Sequence, residues 1–310
     1  MKNYKHLIVG SRGSTLALRQ TQTVIDHLRS VYPEYQFSLK KIKTKGDITS
    51  KLPYGSGEQG FFVKELEEAL LSQDIDIAVH SLKDVPTVLT AGLELAAICH
   101  REEPNDALVS RSNVTLDQLP KGALLGTGSL RRIAQVKAFR QDIRTISIRG
   151  NVDTRIRKIE TESLDGVILA TAALVRMGWS DRISQRIPLE VLVPAPGQGA
   201  LAIETRMSDQ AIELIRHMEH KQTRLETSAE RAFLRGLGGG CRVPIAALGK
   251  ASQHSLELEG LVISPDGNEL LRGKESGSDP EELGQGLANK LLKQGAAQLL
   301  ERAESWMSKE

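Results

Sequence analysis

Through about residue 200 the chain alternates short β-branched runs with helical patterns, and this alternation constrains the fold more than any other feature. Residues 7–9 read as a buried strand, followed by a helix over 16–28 with apolar residues at Leu16, Leu18, Val24, Ile25 and Leu28. A strand over 37–44, a helix over 61–71 and a strand over 75–80 come next. The pattern resumes as strands at 124–126, 143–148 and 167–170, with helices at 129–139, 152–159 and 172–177. Strands separated by helix-length crossovers imply parallel sheet and an α/β architecture. Residues 188–198 carry three prolines and read as a connection between units. Beyond them the character changes. Runs at 256–264 and 269–274 flank Pro265-Asp266-Gly267, a hairpin signal, and long helical patterns at 223–237 and 280–303 lie on either side. That is the signature of a separate small α+β unit.

Length and composition narrow the function classes. The 310 residues suffice for about two domains, or three small ones. Aromatic residues are only 4%, which argues against a base-stacking nucleic-acid binder. Lys and Arg number 41 against 39 Asp and Glu, so no global basic field exists to hold a polyanion, and anion recognition must be local. Two cysteines exclude a disulfide framework. The longest apolar stretch, 167–175, falls short of the roughly 18 residues a membrane helix needs. The run at 7–9 is too short for a signal peptide, so a cytoplasmic location is expected.

Three places offer chemistry. Gly10-Ser11-Arg12-Gly13-Ser14 and Gly126-Thr127-Gly128-Ser129-Leu130-Arg131-Arg132 each follow a strand and open a helix, as equivalent turns of two similar lobes would. Such turns present unpaired N–H groups at the positive end of a helix dipole. Ser14 and Ser129 are placed to cap or to donate, and Arg12, Arg131 and Arg132 add forked donors that match a carboxylate. With Arg149-Gly150-Asn151 and Arg155 at a further junction, the spread of arginines suggests a ligand with several carboxylates. No phosphate-loop motif is present, so nucleotide hydrolysis is not expected. Secondly, the 75–80 strand runs into Ser81, Lys83 and Asp84 before Pro86, at a strand's carboxyl end where α/β proteins bind ligands. A carboxylate there can stabilise a developing cation or shuttle a proton, although a surface Lys–Asp pair reads the same way. His80, inside the apolar strand, reads as a core histidine. Thirdly, Gly236-Leu237-Gly238-Gly239-Gly240-Cys241-Arg242-Val243-Pro244 puts a thiol on a glycine-rich loop beside an arginine. It is a nucleophile or an attachment point, or a small residue in a tight turn. Cys99 reads as buried filler, and no Cys/His cluster has metal-ligand spacing.

Taken together and in order, these segments resemble the hydroxymethylbilane synthase (porphobilinogen deaminase) family over essentially the whole chain. The resemblance is carried by Gly10-Ser11-Arg12 with Ser14, by Phe62-Val63-Lys64-Glu65-Leu66-Glu67 and by His80-Ser81-Leu82-Lys83-Asp84-Val85-Pro86. It continues through the Gly126 to Arg132 turn, Arg149-Gly150-Asn151-Val152-Asp153-Thr154-Arg155, Gly197-Gln198-Gly199-Ala200-Leu201 and Gly239-Gly240-Cys241-Arg242-Val243-Pro244. The resemblance implies an α/β fold of two periplasmic-binding-protein-like lobes with a cleft between them, plus a small C-terminal α+β domain. The expected domains are 1–100 with 199–219, 101–198 and 220–310. It implies a monomer that adds four porphobilinogen units head to tail, with loss of ammonia, onto a dipyrromethane held by a thioether to Cys241, and then releases hydroxymethylbilane. Asp84 is then the catalytic residue, facing the pyrrole nitrogens. Arg12, Ser14, Lys83, Thr127, Ser129, Arg131, Arg132, Arg149, Arg155 and Arg176 bind carboxylates, with Ser81 and Gln198 in support. No metal, nucleic-acid or membrane partner is expected.

The chain departs from the family in places. Residues 51–60 have Glu58-Gln59 where a basic residue is common, Asn105 stands where arginine is frequent, and Pro196 and Gly128 replace residues more often Val and Ser. Two rival readings use the same residues. A two-lobed binding protein for a small polycarboxylate would need no chemistry and leaves Cys241 without a role. An unrelated thiol enzyme lacks a persuasive histidine partner.

Overall fold

The computed structural model describes residues 5–43, 63–238, 243–253 and 255–307. The 51–60 loop and Cys241 lie outside the described residues. The chain forms two compact units, the first ending at Arg101 and taking up Ala200–Arg224, the second holding Glu102–Gly199 and everything from Leu225 onward.

Unit 1 opens with β1 (His6–Arg12), which buries Leu7 and Val9. The helix α1 (Thr15–Val31) starts where the Ser14 hydroxyl accepts the Ala17 N–H at 3.3 Å, and buries Val24, Ile25 and Leu28 along one face. Then follow β2 (Gln36–Ile42), α2 (Lys64–Leu71), β3 (Ile77–Ser81) and β4 (Leu93–Ile98). A single 3₁₀ turn, Leu82–Asp84, caps β3, anchored by the fully buried Leu82.

In unit 2 the order is β5 (Asp106–Ser110), β6 (Leu124–Gly126), α3 (Leu130–Phe139), β7 (Arg144–Ile146), α4 (Val152–Thr161), β8 (Gly166–Ala170), α5 (Thr171–Arg176) and β9 (Gln185–Arg186). The chain returns to unit 1 as β10 (Leu201–Arg206) and a short helix, α6 (Ala211–Ile215).

The two five-stranded sheets have the orders β2-β1-β3-β10-β4 and β7-β6-β8-β5-β9. β1 is parallel to β2 and β3, and β6 is parallel to β7 and β8. β10 is antiparallel to both its neighbours, as is β5. Each sheet is therefore mixed: the parallel pairs that the strand–helix alternation implied are present, joined by one inverted strand second from an edge. The inverted strand is in each case the first one laid down after the chain passes from the other unit, so no helical crossover sets its direction. The sheets share one topology, and the turns after β1 and β6 occupy equivalent positions in it.

The C-terminal part of unit 2 contains α7 (Lys221–Gly236) from Leu225 onward, an antiparallel sheet of β11 (Ile245–Ala251), β12 (Leu256–Ile263) and β13 (Leu270–Gly277), and the helices α8 (Pro280–Lys293) and α9 (Ala296–Met307). Phe233, Leu258, Leu287 and Leu291 form its core. The hairpin signal is realised: Gly267, at φ +78°, turns β12 into β13. The helical pattern at 280–303 is two helices, because Gly295 adopts φ +105° and ends the first. The molecule is an α/β protein with two sheet-containing lobes and a small C-terminal sheet domain.

Candidate active site

Unit 1 carries a recess, open at its mouth, where β1 and β3 end and α1 begins. Its polar lining is Arg12, Ser14, Gln20, His80, Ser81 and Asp84, set against an apolar wall that includes Leu16 and Val63. The sequence dictates this local shape. β1 ends at Arg12, the capping Ser14 starts α1 at once, and the buried Leu82 pulls the chain after β3 into the turn that carries Lys83 and Asp84. The Gln20 amide and the Ser81 hydroxyl hydrogen-bond at 3.2–3.3 Å, which fixes the lip of the recess across two elements. Asp84 is half-buried within it. Lys83 is half-buried in the same turn.

His80 is buried, as the sequence suggests, and it also lines the recess. Its Nε2 lies 3.0 Å from Glu204 Oε2 on β10, a partner 124 residues away that no sequence pattern marked.

In unit 2 the equivalent turn differs. Thr127 is buried, its N–H donates to the Ile146 carbonyl at 3.0 Å, and its hydroxyl accepts the Ser129 N–H at 3.3 Å. Ser129 occupies the N-cap of α3, yet its side chain makes no cap hydrogen bond. The hydroxyl and the first amides of α3 thus remain a donor set suited to a carboxylate.

Arg131 and Arg132, expected to meet ligand carboxylates, face a carboxylate of the protein itself. They are 4% and 5% exposed and converge on Asp106, which has no exposure. Arg131 Nη1 donates to Asp106 Oδ2 and to the Val193 carbonyl, both at 2.7 Å. Arg132 donates to Asp106 Oδ1 through Nε at 3.0 Å and Nη2 at 2.6 Å. The physical reason is the usual one for buried charge: a guanidinium enters a protein interior with a carboxylate and carbonyls to receive it. Burial by itself would raise the Asp106 pKa, but the charges and hydrogen bonds of the two arginines outweigh it and hold the carboxyl well below the usual aspartate range. Burial also lowers the Arg131 pKa, against the opposing pull of Asp106. Two cations facing one anion leave the cluster with surplus positive charge.

Gln198 joins this cluster, its Nε2 donating to Asp106 Oδ1 at 3.0 Å and to the Pro104 carbonyl at 2.7 Å. Arg176, half-buried, donates to the Gly199 carbonyl at 2.6 Å. Arg149 is exposed and precedes Gly150, whose φ of +111° turns the chain into α4. Arg155 Nε donates to the Gly150 carbonyl at 2.8 Å and braces that turn. The structure thus gathers Arg12, Ser14, Ser81 and Asp84 in one recess, and Arg131, Arg132 and Gln198 around one aspartate. Sequence reasoning missed Gln20, Glu204 and Asp106. Gln20, one helical turn beyond Leu16, was the one with a local signal.

Comparison with known proteins bears on the whole arrangement. Residues 7–214 match the family model described as porphobilinogen deaminase, dipyromethane cofactor binding domain, and residues 224–293 match that for the porphobilinogen deaminase C-terminal domain. The chain is 48% identical over 305 residues to the porphobilinogen deaminase of Desulforudis audaxviator, covering 97% of this chain and 99% of that one. It is 45% identical over 303 residues to that of Geobacillus kaustophilus, covering 97% and 98%. Among solved structures, a putative methionine-binding lipoprotein from Bacillus subtilis is 11% identical, with a TM-score of 0.45, over 72% of this chain and 94% of its own. Two family models spanning most of the chain, and relatives this similar from end to end, place it: the chain belongs to the porphobilinogen deaminase family.

Proposed function

We propose that the unit 1 recess is where this enzyme does its chemistry, with Asp84 as the catalytic carboxylate. The enzyme is a transferase, a hydroxymethylbilane synthase, which joins four porphobilinogen molecules head to tail with loss of ammonia and releases the linear tetrapyrrole. A dipyrromethane, when bound, supplies the pyrrole carbon to which the first unit is added. Cys241, in a glycine-rich stretch of the sequence, holds it through a thioether.

The observation that carries this reading is the position of Asp84: a carboxylate fixed by a 3₁₀ turn in a recess whose other polar groups, Arg12, Ser14 and Ser81, suit an acidic substrate. Loss of ammonia from the substrate leaves a positively charged methylene-pyrrole, and a preplaced carboxylate stabilises that charge as it develops. In unit 1, Arg12, Ser14 and Lys83 bind acetate and propionate side chains. In unit 2, Thr127, Ser129, Arg149, Arg155 and Arg176 do so, while Arg131, Arg132 and Gln198 act through the surplus positive charge around Asp106. The donor set, rich in arginine and hydroxyl groups with few aromatics, fits a polycarboxylate far better than a neutral ligand.

The substrate is a small molecule, and the enzyme works as a cytoplasmic monomer without nucleic-acid or membrane partners. The near-balanced charge speaks against a polyanionic partner, and no helix among the described residues is long and apolar enough to cross a membrane. A binding protein without catalysis is disfavoured by membership of a deaminase family.

Intact-mass measurement of the purified protein, with an aldehyde stain for pyrroles, tests the reading. A two-pyrrole adduct is expected on the wild type and none on Cys241→Ser. A bare wild-type polypeptide after incubation with porphobilinogen, or the same adduct on the variant, removes Cys241 from its role.

A further inference from the structure

The recess has a second ionisable element that the role of Asp84 leaves unused. On the antiparallel pair β3 and β10, Ala202 stands opposite His80, and Glu204 lies two residues further along the same face. The diagonal brings Nε2 and Oε2 to 3.0 Å, with the side chains 2% and 1% exposed. Glu204 Oε1 has no hydrogen-bond partner among the described residues. A carboxylate buried with a single hydrogen bond is costly, and for packing alone an apolar pair would serve this core better. His80 differs from a merely structural histidine in one further respect: it lines the recess that holds Arg12 of β1 and Asp84. Its Nε2 edge is taken by Glu204, and no described residue hydrogen-bonds Nδ1.

A further charged neighbour is Glu67 on α2. It is buried, and Thr90 Oγ1 donates to its Oε2 at 2.7 Å. Burial, reinforced by Glu204 and opposed by Thr90 and His80, pushes Glu67 toward its protonated form. Glu204, in direct contact with His80 Nε2, is the carboxylate placed to balance a positive charge there.

We propose that the His80–Glu204 pair is the proton-holding element of the recess, with His80 Nδ1 as the exchanging atom. The inference rests on reading the recess as the reaction site. In each addition the bond from the aminomethyl carbon to nitrogen breaks, and its electron pair leaves with ammonia. A pair from the attacking pyrrole forms the new carbon–carbon bond. The C–H pair at the attacking carbon then returns to the ring and restores aromaticity, which frees one proton. His80 Nδ1 accepts that proton, Glu204 balances the resulting charge, and the proton passes to the released ammonia, which departs as ammonium. Protons balance in every cycle without an outside acid or base.

The test is the pH dependence of kcat for wild type and for Glu204→Gln, with Asp84→Asn alongside and melting temperatures for all three. Removing the carboxylate that His80 Nε2 faces is expected to displace the acid limb of the Glu204→Gln profile from its wild-type place. Loss of that partner should lower kcat about tenfold or more. KM and melting temperature should change little. An acid limb that stays in place, whatever the value of kcat, overturns the proposal. If Asp84→Asn still abolishes turnover in that case, the recess stands; near-normal turnover in Asp84→Asn removes the recess itself. Should Glu204→Gln fail to fold, ¹⁵N NMR of histidine-labelled wild type decides the matter. An Nδ1 without a proton at neutral pH that gains one on acidification is expected, and an Nδ1 protonated throughout overturns the idea.

Discussion

Glu230 Oε2 accepts the Gly197 N–H at 2.6 Å from a side chain with no solvent exposure. Its other oxygen accepts the Gly249 N–H at 2.8 Å, so one carboxylate of α7 fastens the proline-rich connection and β11 together. Glu230→Ala would leave two buried amides without an acceptor, at a cost of about 3 kcal/mol or more. Glu230→Gln, which keeps one acceptor oxygen, should lose less. Denaturant midpoints of the three proteins check the order.

Asp106 makes the enzyme sensitive to acid. Its folded-state pKa lies below the ordinary 3.8, so its contribution to stability is fully present above pH 3.8 and is lost as pH falls toward the folded value. Thermal melts should therefore drop steeply once pH goes below about 4. Asp106→Asn strands two buried guanidinium groups, should cost about 3–5 kcal/mol at neutral pH, and should flatten that acid dependence.

Asp84→Asn keeps the shape of the side chain but not its charge. Its melting temperature and its pyrrole adduct should match wild type, while kcat falls by about 10²–10⁴. Turnover assays beside intact mass separate loss of chemistry from loss of cofactor.

Gly284 on α8 is a packing glycine. A Cβ there would lie 2.5 Å from the Ala229 carbonyl oxygen and 2.5 Å from the Ala232 Cβ on α7. Gly284→Ala should force the two helices apart and cost about 1–3 kcal/mol, read as a lowered melting temperature, with kcat of the folded enzyme unchanged.

What the sequence made legible was local. The turns at Gly10–Ser14 and Gly126–Arg132 declare themselves because strand end, glycine and cap are contiguous, and the hairpin at Gly267 does so for the same reason. The missing parts depend on distance along the chain. His80 meets Glu204 across 124 residues, and nothing near either one announces the other. Asp106 sits 25 and 26 residues before the arginines it binds, so nothing near Arg131 and Arg132 shows that the carboxylate they match is the protein's own. The inverted strands were hidden because alternation of strand and helix reveals how neighbours connect, and β10 and β5 arrive by another route. Gly295 was visible but lies within an amphipathic pattern that runs on through it, where a single glycine weighs little.

The place of β10 has a consequence for how the protein is made. β3 and β4 do not pair with each other; both pair with β10. When the ribosome has finished residue 100, the first sheet lacks its fourth strand, and the edges of β3 and β4 stand open to solvent. They stay so until roughly another hundred residues have emerged, so a nascent chain stalled in that interval presents raw strand edges of the kind that aggregate or recruit chaperones.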